Sequence, residues 1–258
     1  MTNKEYRQHE GISRSELNIL LSKSPLHMKY FMDHHEEEEE TLALLEGRAA
    51  HKLILEPESF FEEFAIAPKA DRRTSAGKEA YAAFAEENRS KDIITEDTYE
   101  KISAMSEALS LNEDAVKLIK GKHEESFFWT DADTGEACKV RPDCLTEVEG
   151  KKYIVDYKTI DSCANWAFES SVRKYGYKFQ AGMYREGVFQ NTFEDYGFAF
   201  VAQEKKAPYA SRVYICSEEF IREGFEQFRE AIQIFHWCKT NNNWYGYPNE
   251  MLWGEGEK

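Results

Sequence analysis

The first 120 residues carry their apolar positions at helical spacing, and the remainder carries them in short runs and alternations that suit strands. From about Glu96 to Leu111, Ile102, Met105 and Leu109 line one stripe, which predicts an amphipathic helix. Upstream, Ser13 reads as the N-cap of a helix through about Leu21, with Ser15 and Glu16 in its first turn, where negative charge suits the helix dipole. Ser24-Pro25 opens another helix, with Pro25 at its first position and Tyr30-Phe31 on its apolar face. Further helices are expected over about Thr41 to Leu55, ending near Pro57, and over about Ser75 to Asn88. The glutamate run after His34-His35 reads as a solvated loop.

The pattern then changes period. Ser126 to Thr130 is aromatic-rich strand material, Asp133-Thr134-Gly135 is a turn, and Ala137 to Arg141 returns as a second strand. A third strand covers Tyr153 to Thr159. Trp166 to Tyr184 is helical with an interruption near Gly176, and strands follow over Tyr196–Ala202 and Ser211–Cys216. The segment from Glu218 to about Lys239 predicts a long helix burying Phe220, Phe225, Phe228, Ile232 and Phe235. Helices, a strand hairpin, a helix, then strands and a closing helix imply an α/β fold: one mixed sheet flanked by helices. No repeat or linker divides the chain, so residues 1–258 read as one domain, mainly helical to about 120 and sheet-based from about 121.

Composition narrows the class. With 41% hydrophobic residues the chain can bury a core, yet no run approaches the roughly 20 apolar residues of a membrane span. The opening Met1 to Tyr6 lacks the apolar stretch of a signal peptide. Five cysteines (Cys138, Cys144, Cys163, Cys216, Cys238) are odd in number and form no CxxC, which points to reduced thiols and a cytoplasmic protein. A net charge of −15 argues against a broadly basic nucleic-acid-binding surface. It leaves room for a confined basic channel with acidic outer faces.

The candidate chemistry sits in two short segments. Arg141-Pro142-Asp143 is followed thirteen residues later by Asp156-Tyr157-Lys158, inside Tyr153 to Thr159. Residues i and i+2 of a strand share a face, so Asp156 and Lys158 point one way while Val155 and Tyr157 point the other. Burying a carboxylate and an ammonium is costly unless they pair or a metal or anion compensates. With Asp143 just upstream, two carboxylates and a lysine converge on a hard-cation site beside a proton-handling group, the set that metal-assisted phosphodiester hydrolysis requires. Gln180 and Tyr184, four apart on the next helix, can aim at one object. His51 beside small residues reads first as a packing residue, and of Glu124 and Glu125 only one can face Asp143.

Taken together, these segments resemble the RecE-type exonucleases, often encoded by prophages, of the PD-(D/E)xK nuclease superfamily. The resemblance runs through Ile12 to Leu17 with Ser24-Pro25 and Tyr30, and through Gly47 to Pro57 around His51. It continues through Phe128 to Asp131 with Cys138 to Asp143, through Ile154 to Thr159, and through Tyr175-Gly176-Tyr177 with Gln180 and Tyr184. It implies a restriction-endonuclease-like core in which Asp143, Asp156 and the Tyr157 carbonyl hold Mg2+, with His51 and Glu124 at a second metal position and Mn2+ able to substitute. Lys158 would orient or deprotonate the attacking water, and Gln180 and Tyr184 would position Lys158 and the scissile phosphate. The implied reaction is processive 5′-to-3′ digestion of one strand of linear double-stranded DNA, leaving a 3′ overhang for a RecT-type annealing protein. Relatives form rings around DNA, with Lys69, Arg72, Arg73, Lys78, Arg173, Lys174 and Lys178 as candidate DNA contacts here. No cysteine precedes Cys138, which does not fit an iron–sulfur cluster of the Cas4 or AddB type. The chain reads as the nuclease domain without the long N-terminal extension of some relatives. An endonuclease of the same superfold and a non-catalytic DNA-binding protein are the alternatives.

Overall fold

The computed structural model describes residues 1, 3–34, 41–69 and 73–247; the glutamate run and Arg72 lie outside the described residues. In chain order the elements are α1 (Asn3–Gln8), β1 (Ile12–Ser13), α2 (Arg14–Ser22), α3 (Pro25–Asp33) and α4 (Leu42–Leu55). A 3-10 turn (Pro57–Ser59) leads into α5 (Phe60–Glu63), β2 (Phe64–Ala67), α6 (Ser75–Glu87), β3 (Asp92–Thr95), α7 (Glu96–Ser110) and α8 (Glu113–Leu118). Then come β4 (Lys122–His123), β5 (Phe127–Thr130), β6 (Ala137–Val140), β7 (Cys144–Val148) and β8 (Lys151–Ile160). The chain closes with α9 (Asn165–Tyr175), α10 (Tyr177–Thr192), β9 (Gly197–Glu204), β10 (Ser211–Ile215) and α11 (Glu218–Asn241).

The central sheet has the order β10-β9-β8-β7-β4, antiparallel except for the parallel β8–β9 pair. That parallel pair needs a crossover, which α9 and α10 supply. Strand alternation divides the sheet's two faces between two cores. Ile154, Ile160, Phe198, Phe200 and Ala202 pack under α2, α9, α10 and α11. Val155, Tyr157, Ala199 and Val201 pack under α4, α7 and α8 through Ile54, Leu55, Leu109, Ala115 and Leu118. Helices therefore cover both faces of a mixed sheet, the class expected from the chain's pattern.

The hairpin differs from its expected place. β5 and β6 pair with each other and β6 with β1, forming a separate three-stranded sheet. The partner of β8 is β7, a strand that the sequence pattern did not reveal. Its five residues, Cys-Leu-Thr-Glu-Val, are too short to establish a period. β2 and β3 add a small parallel pair among the N-terminal helices. On α3 the buried residues are Pro25 and Met28, whereas Tyr30 is 66% exposed, so the apolar face is turned from the one expected.

Local chemistry explains the boundaries that matter. Ser13 and Glu16 form a capping box at the start of α2. Gly176, with φ +65°, breaks α9 from α10, a left-handed conformation that glycine adopts without a Cβ clash. Arg14 donates hydrogen bonds to the carbonyls of Tyr175 and Gly176, tying α2 to the break; the Gly176 carbonyl also accepts from the Gln180 N–H. α10 crosses α11 at Gly182 and Gly224, where a Cβ on Gly224 would fall 1.7 Å from the Lys178 carbonyl oxygen. That close crossing fixes α10 over the sheet and with it the side chains α10 sends to β8.

Candidate active site

β8 carries the two charged groups that the strand alternation placed together. Asp156 is 2% exposed, and the Lys158 ammonium lies 2.6 Å from its Oδ2 and 5.3 Å from the centre of the Tyr177 ring. Gln180, buried on α10, donates from Nε2 to Asp156 Oδ1. Asp156 Oδ2 meets the Lys158 ammonium and no further donor among the described residues, while Gln180 Oε1 has no hydrogen-bond donor among them. A buried carboxylate oxygen with a single ammonium contact keeps a lone pair that an ion or its water can meet.

The other half of the site comes from three elements. Asp143, in the link between β6 and β7, accepts a hydrogen bond on Oδ2 from the Tyr157 backbone N–H at 2.7 Å. His51 on α4 brings Nε2 to 3.1 Å from Asp143 Oδ2 and 3.0 Å from the Tyr157 carbonyl oxygen. Behind the strand, the Tyr157 hydroxyl donates to Gln203 Oε1 at 2.7 Å, and Gln203 Nε2 donates to the carbonyls of Met105 and Tyr209. Tyr157 is thus tied at both ends, which holds its carbonyl in place. Glu124 joins from the loop after β4 with φ +53°, its N–H donating to the Asp143 carbonyl. His51, Glu124 and Asp143 each offer a ligand atom within 4.8 Å of the others. Glu125 turns away and pairs with Lys122, which decides between the two glutamates.

Electrostatics follow from burial and crowding. Burial alone would lower the His51 pKa, but the charge and hydrogen bond of Asp143, reinforced by Glu124 and Asp156, lift it to about 9. Burial pulls Asp143 upward, yet His51 and then Lys158 and the Tyr157 N–H hold it below the usual carboxylate range. Asp156 goes the other way: burial raises it, the Asp143 charge adds to that, and Lys158 does not offset both. Burial and Asp143 likewise raise Glu124 against the pull of His51 and Arg141. Such a cluster favours either protons or a cation.

A divalent ion fits the donor set. Carboxylate and carbonyl oxygens with one imidazole suit Mg2+ or Mn2+, and His51, Glu124 and Asp143 already bring three ligand atoms together. An open cleft of about 590 Å³, lined by Glu56, His123, Glu124, Glu125, Phe128 and Arg141, leads to Glu124 from solvent.

Of the residues named from the sequence, the structure brings Asp143, Asp156, Tyr157, Lys158, His51, Glu124 and Gln180 into one constellation. Gln180 binds Asp156 rather than Lys158, and the Tyr177 ring of α10 lies over the ammonium. Tyr184 is half-buried on the same helix and packs in the core beside Phe198. Of the expected DNA contacts, Lys69 lies 3.5–3.7 Å from carboxylates of Glu96, Asp97 and Glu100. Lys178 pairs with Glu223. Arg173 and Lys174 occupy the last turn of α9, two or three residues before the Gly176 break, while Arg73 and Lys78 flank the start of α6. Reading the sequence missed Arg141 as the partner of Glu124, at 2.7 Å, although its place two residues before Asp143 already put it near the site.

The model of the family described as a PDDEXK-like domain of unknown function (DUF3799) matches residues 13–251. A solved structure described as that of a "putative exonuclease" from Eubacterium rectale superposes with a TM-score of 0.61 at 16% identity. The match covers 97% of this chain and 96% of that one, and it shows a shared fold. The structure of SSO0001 matches at a TM-score of 0.39 and 13% identity, over 90% of this chain and 81% of that one. No curated protein matches the chain.

Proposed function

The chain belongs to the PDDEXK-like DUF3799 family, and from that premise we propose that it is a Mg2+-dependent exodeoxyribonuclease acting on linear double-stranded DNA. The observation that carries the reading is the buried Asp156, held by Gln180 on one oxygen and paired with the Lys158 ammonium on the other, beside the Asp143–His51–Tyr157 carbonyl group. A protein that only bound DNA would have no use for so many desolvated charges. Bound divalent cations would supply Lewis acidity toward a phosphate oxygen and lower the pKa of an attacking water.

The chain's own residues do the rest. Asp143, Asp156, Glu124, His51 and the Tyr157 carbonyl are the proposed ligands. Gln180 holds Asp156 in one rotamer, so that its second oxygen stays aimed at the site. Lys158, anchored between Asp156 and the Tyr177 ring, keeps its ammonium where it can orient water and offset charge that builds on the phosphoryl oxygens. Tyr184 lines the same helix face one turn beyond Gln180. Arg173, Lys174 and Lys178 bracket Gly176 next to Tyr177, which favours this edge for the phosphate backbone over the Lys69 region, where three carboxylates crowd the lysine.

The resemblance to RecE-type enzymes supports the finer reading: processive 5′-to-3′ digestion, a 3′ overhang passed to a RecT-type annealing protein, and a ring of subunits around the duplex. The test is a gel assay with Mg2+ on 5′-phosphorylated linear duplex against the same DNA as a closed circle, with K158A as control. Digestion of the linear DNA alone, absent in K158A, is the expected outcome. Cutting of the circle would replace the exonuclease reading with an endonuclease, and no cutting of either by wild type would remove the catalytic reading.

A further inference from the structure

Glu124 is placed at the metal cluster by a backbone that a glutamate adopts only under constraint. Its φ of +53° lies in the left-handed region, which costs a non-glycine residue about 1 kcal/mol and persists only where surroundings hold it. Two contacts hold it here: its N–H donates to the Asp143 carbonyl at 3.2 Å, and its Oε2 accepts from Arg141 Nε at 2.7 Å. The Arg141 side chain is only 10% exposed, and the same guanidinium donates from a terminal nitrogen to the Met1 carbonyl at 3.2 Å.

The segment ahead of β1 completes the brace. Tyr6 of α1 lies with its ring 5.7 Å from the Arg141 guanidinium on one side and 5.5 Å from the Lys139 ammonium. Lys139 is buried at 5% exposure and donates to the carbonyls of Arg7 and His9 at 3.1 and 2.6 Å. His9 in turn lies against Phe128 with ring centres 3.8 Å apart. Two cations on β6 and the link after it therefore strap residues 6–9 against the wall of the site that carries Glu124. A buried lysine whose contacts among the described residues are carbonyls and an aromatic ring, with Glu16 as the carboxylate that acts on it, is a costly way to fasten a terminal segment, unless that segment has to stay in place.

We propose that Arg141, braced by Tyr6, is a positioning residue that fixes Glu124 as a ligand of the second divalent cation. The proposal rests on the metal-nuclease reading above. Two effects of Arg141 compete. Its charge repels a nearby cation, whereas its bond to Oε2 holds the carboxylate in one orientation and leaves Oε1 for the ion. Outer-shell partners of ligating carboxylates usually help binding on balance, by about 10- to 100-fold.

The experiment is calorimetric titration of Mn2+ into the full chain without DNA, so that turnover plays no part. Wild type is expected to bind two ions. R141M should weaken the weaker ion about 10-fold and change the tighter one by less than about 2-fold, since Asp143 and Asp156 keep their own partners. In a Glu124→Gln background the same R141M change should have no further effect, which a purely structural role would not produce. Y6L, which keeps Arg141 but removes its brace, should weaken the same ion by a smaller factor. Tighter binding in R141M, equal weakening of both ions, or full additivity with Glu124→Gln would overturn the proposal. If R141M does not fold, Y6L decides it, and unchanged Mn2+ binding in Y6L overturns it. Failure of wild type to bind any Mn2+ would instead remove the metal reading on which it stands.

Discussion

Asp156 and Lys158 show at the residue scale how function and stability pull apart. Asp156 is buried with Lys158 and Gln180 as its side-chain partners among the described residues, and its raised pKa means that folding disfavours its charged form. A raised carboxylate pKa makes the ionised side chain a net liability at neutral pH, so D156N should raise the melting temperature of metal-free protein. About 1 kcal/mol, or ~2–4 °C for a chain of this size, is the scale expected, because removing the buried charge outweighs the lost pairing with Lys158, which is itself partly exposed. The same change should abolish hydrolysis, and a drop in melting temperature would make Asp156 a structural partner instead. K158M should lower turnover by about 10²- to 10⁴-fold while Mn2+ binding by calorimetry persists, since Lys158 is not a ligand. This pair was legible in the sequence because strand alternation alone sets i and i+2 on one face. The role of Gln180 was half legible: spacing aimed it at the site, but only packing chose Asp156 over Lys158 as its partner.

Among the elements, two contacts hold α10 and the β5–β6 hairpin in register. At the α10–α11 crossing a Cβ on Gly224 would meet backbone, which cannot yield as a side-chain tip can. G224A should therefore destabilise by about 3 kcal/mol or more, read as a fall in the denaturant midpoint. It should also lower activity in folded protein, because α10 carries Gln180 and Tyr177. The β5–β6 turn is fastened to α11 by Arg229, which binds Asp131 and Asp133, and by Lys239 and His236 on Glu136. Burial raises the Asp131 pKa, but the Arg229 and Thr134 hydrogen bonds outweigh it and leave Asp131 below the usual range. A lowered carboxylate pKa contributes stability that is present above the unfolded value near 4 and is lost as pH falls through the folded value. The melting-temperature gap between wild type and R229A should thus be widest near neutrality and close in acid, as unfolding scans from pH 7 to 3 would reveal. None of this clamp was visible in the sequence, since Asp131 and Arg229 stand almost a hundred residues apart.

For the whole molecule, a charge of −15 and a polyanionic substrate coexist only if cations are gathered along one path. A ring with such a path inside predicts a mass of three or four times 30.1 kDa by light scattering, and a monomer at working concentration would remove the ring from the proposal. No helix among the described residues is long and apolar enough to cross a membrane. At this scale the chain's pattern determined by itself the mixed helix-and-strand class, the helices with clear caps, and the grouping of Asp143, Asp156 and Lys158, all of which depend on spacing within about fifteen residues. Tertiary structure alone decided that the hairpin leaves the central sheet for β1, that His51 of α4 reaches the Tyr157 carbonyl 106 residues away, and that Arg141 and Tyr6 brace Glu124. Those outcomes depend on which distant faces pack together. Period and propensity describe how one element presents its side chains, and they carry no information about the surface that will meet them.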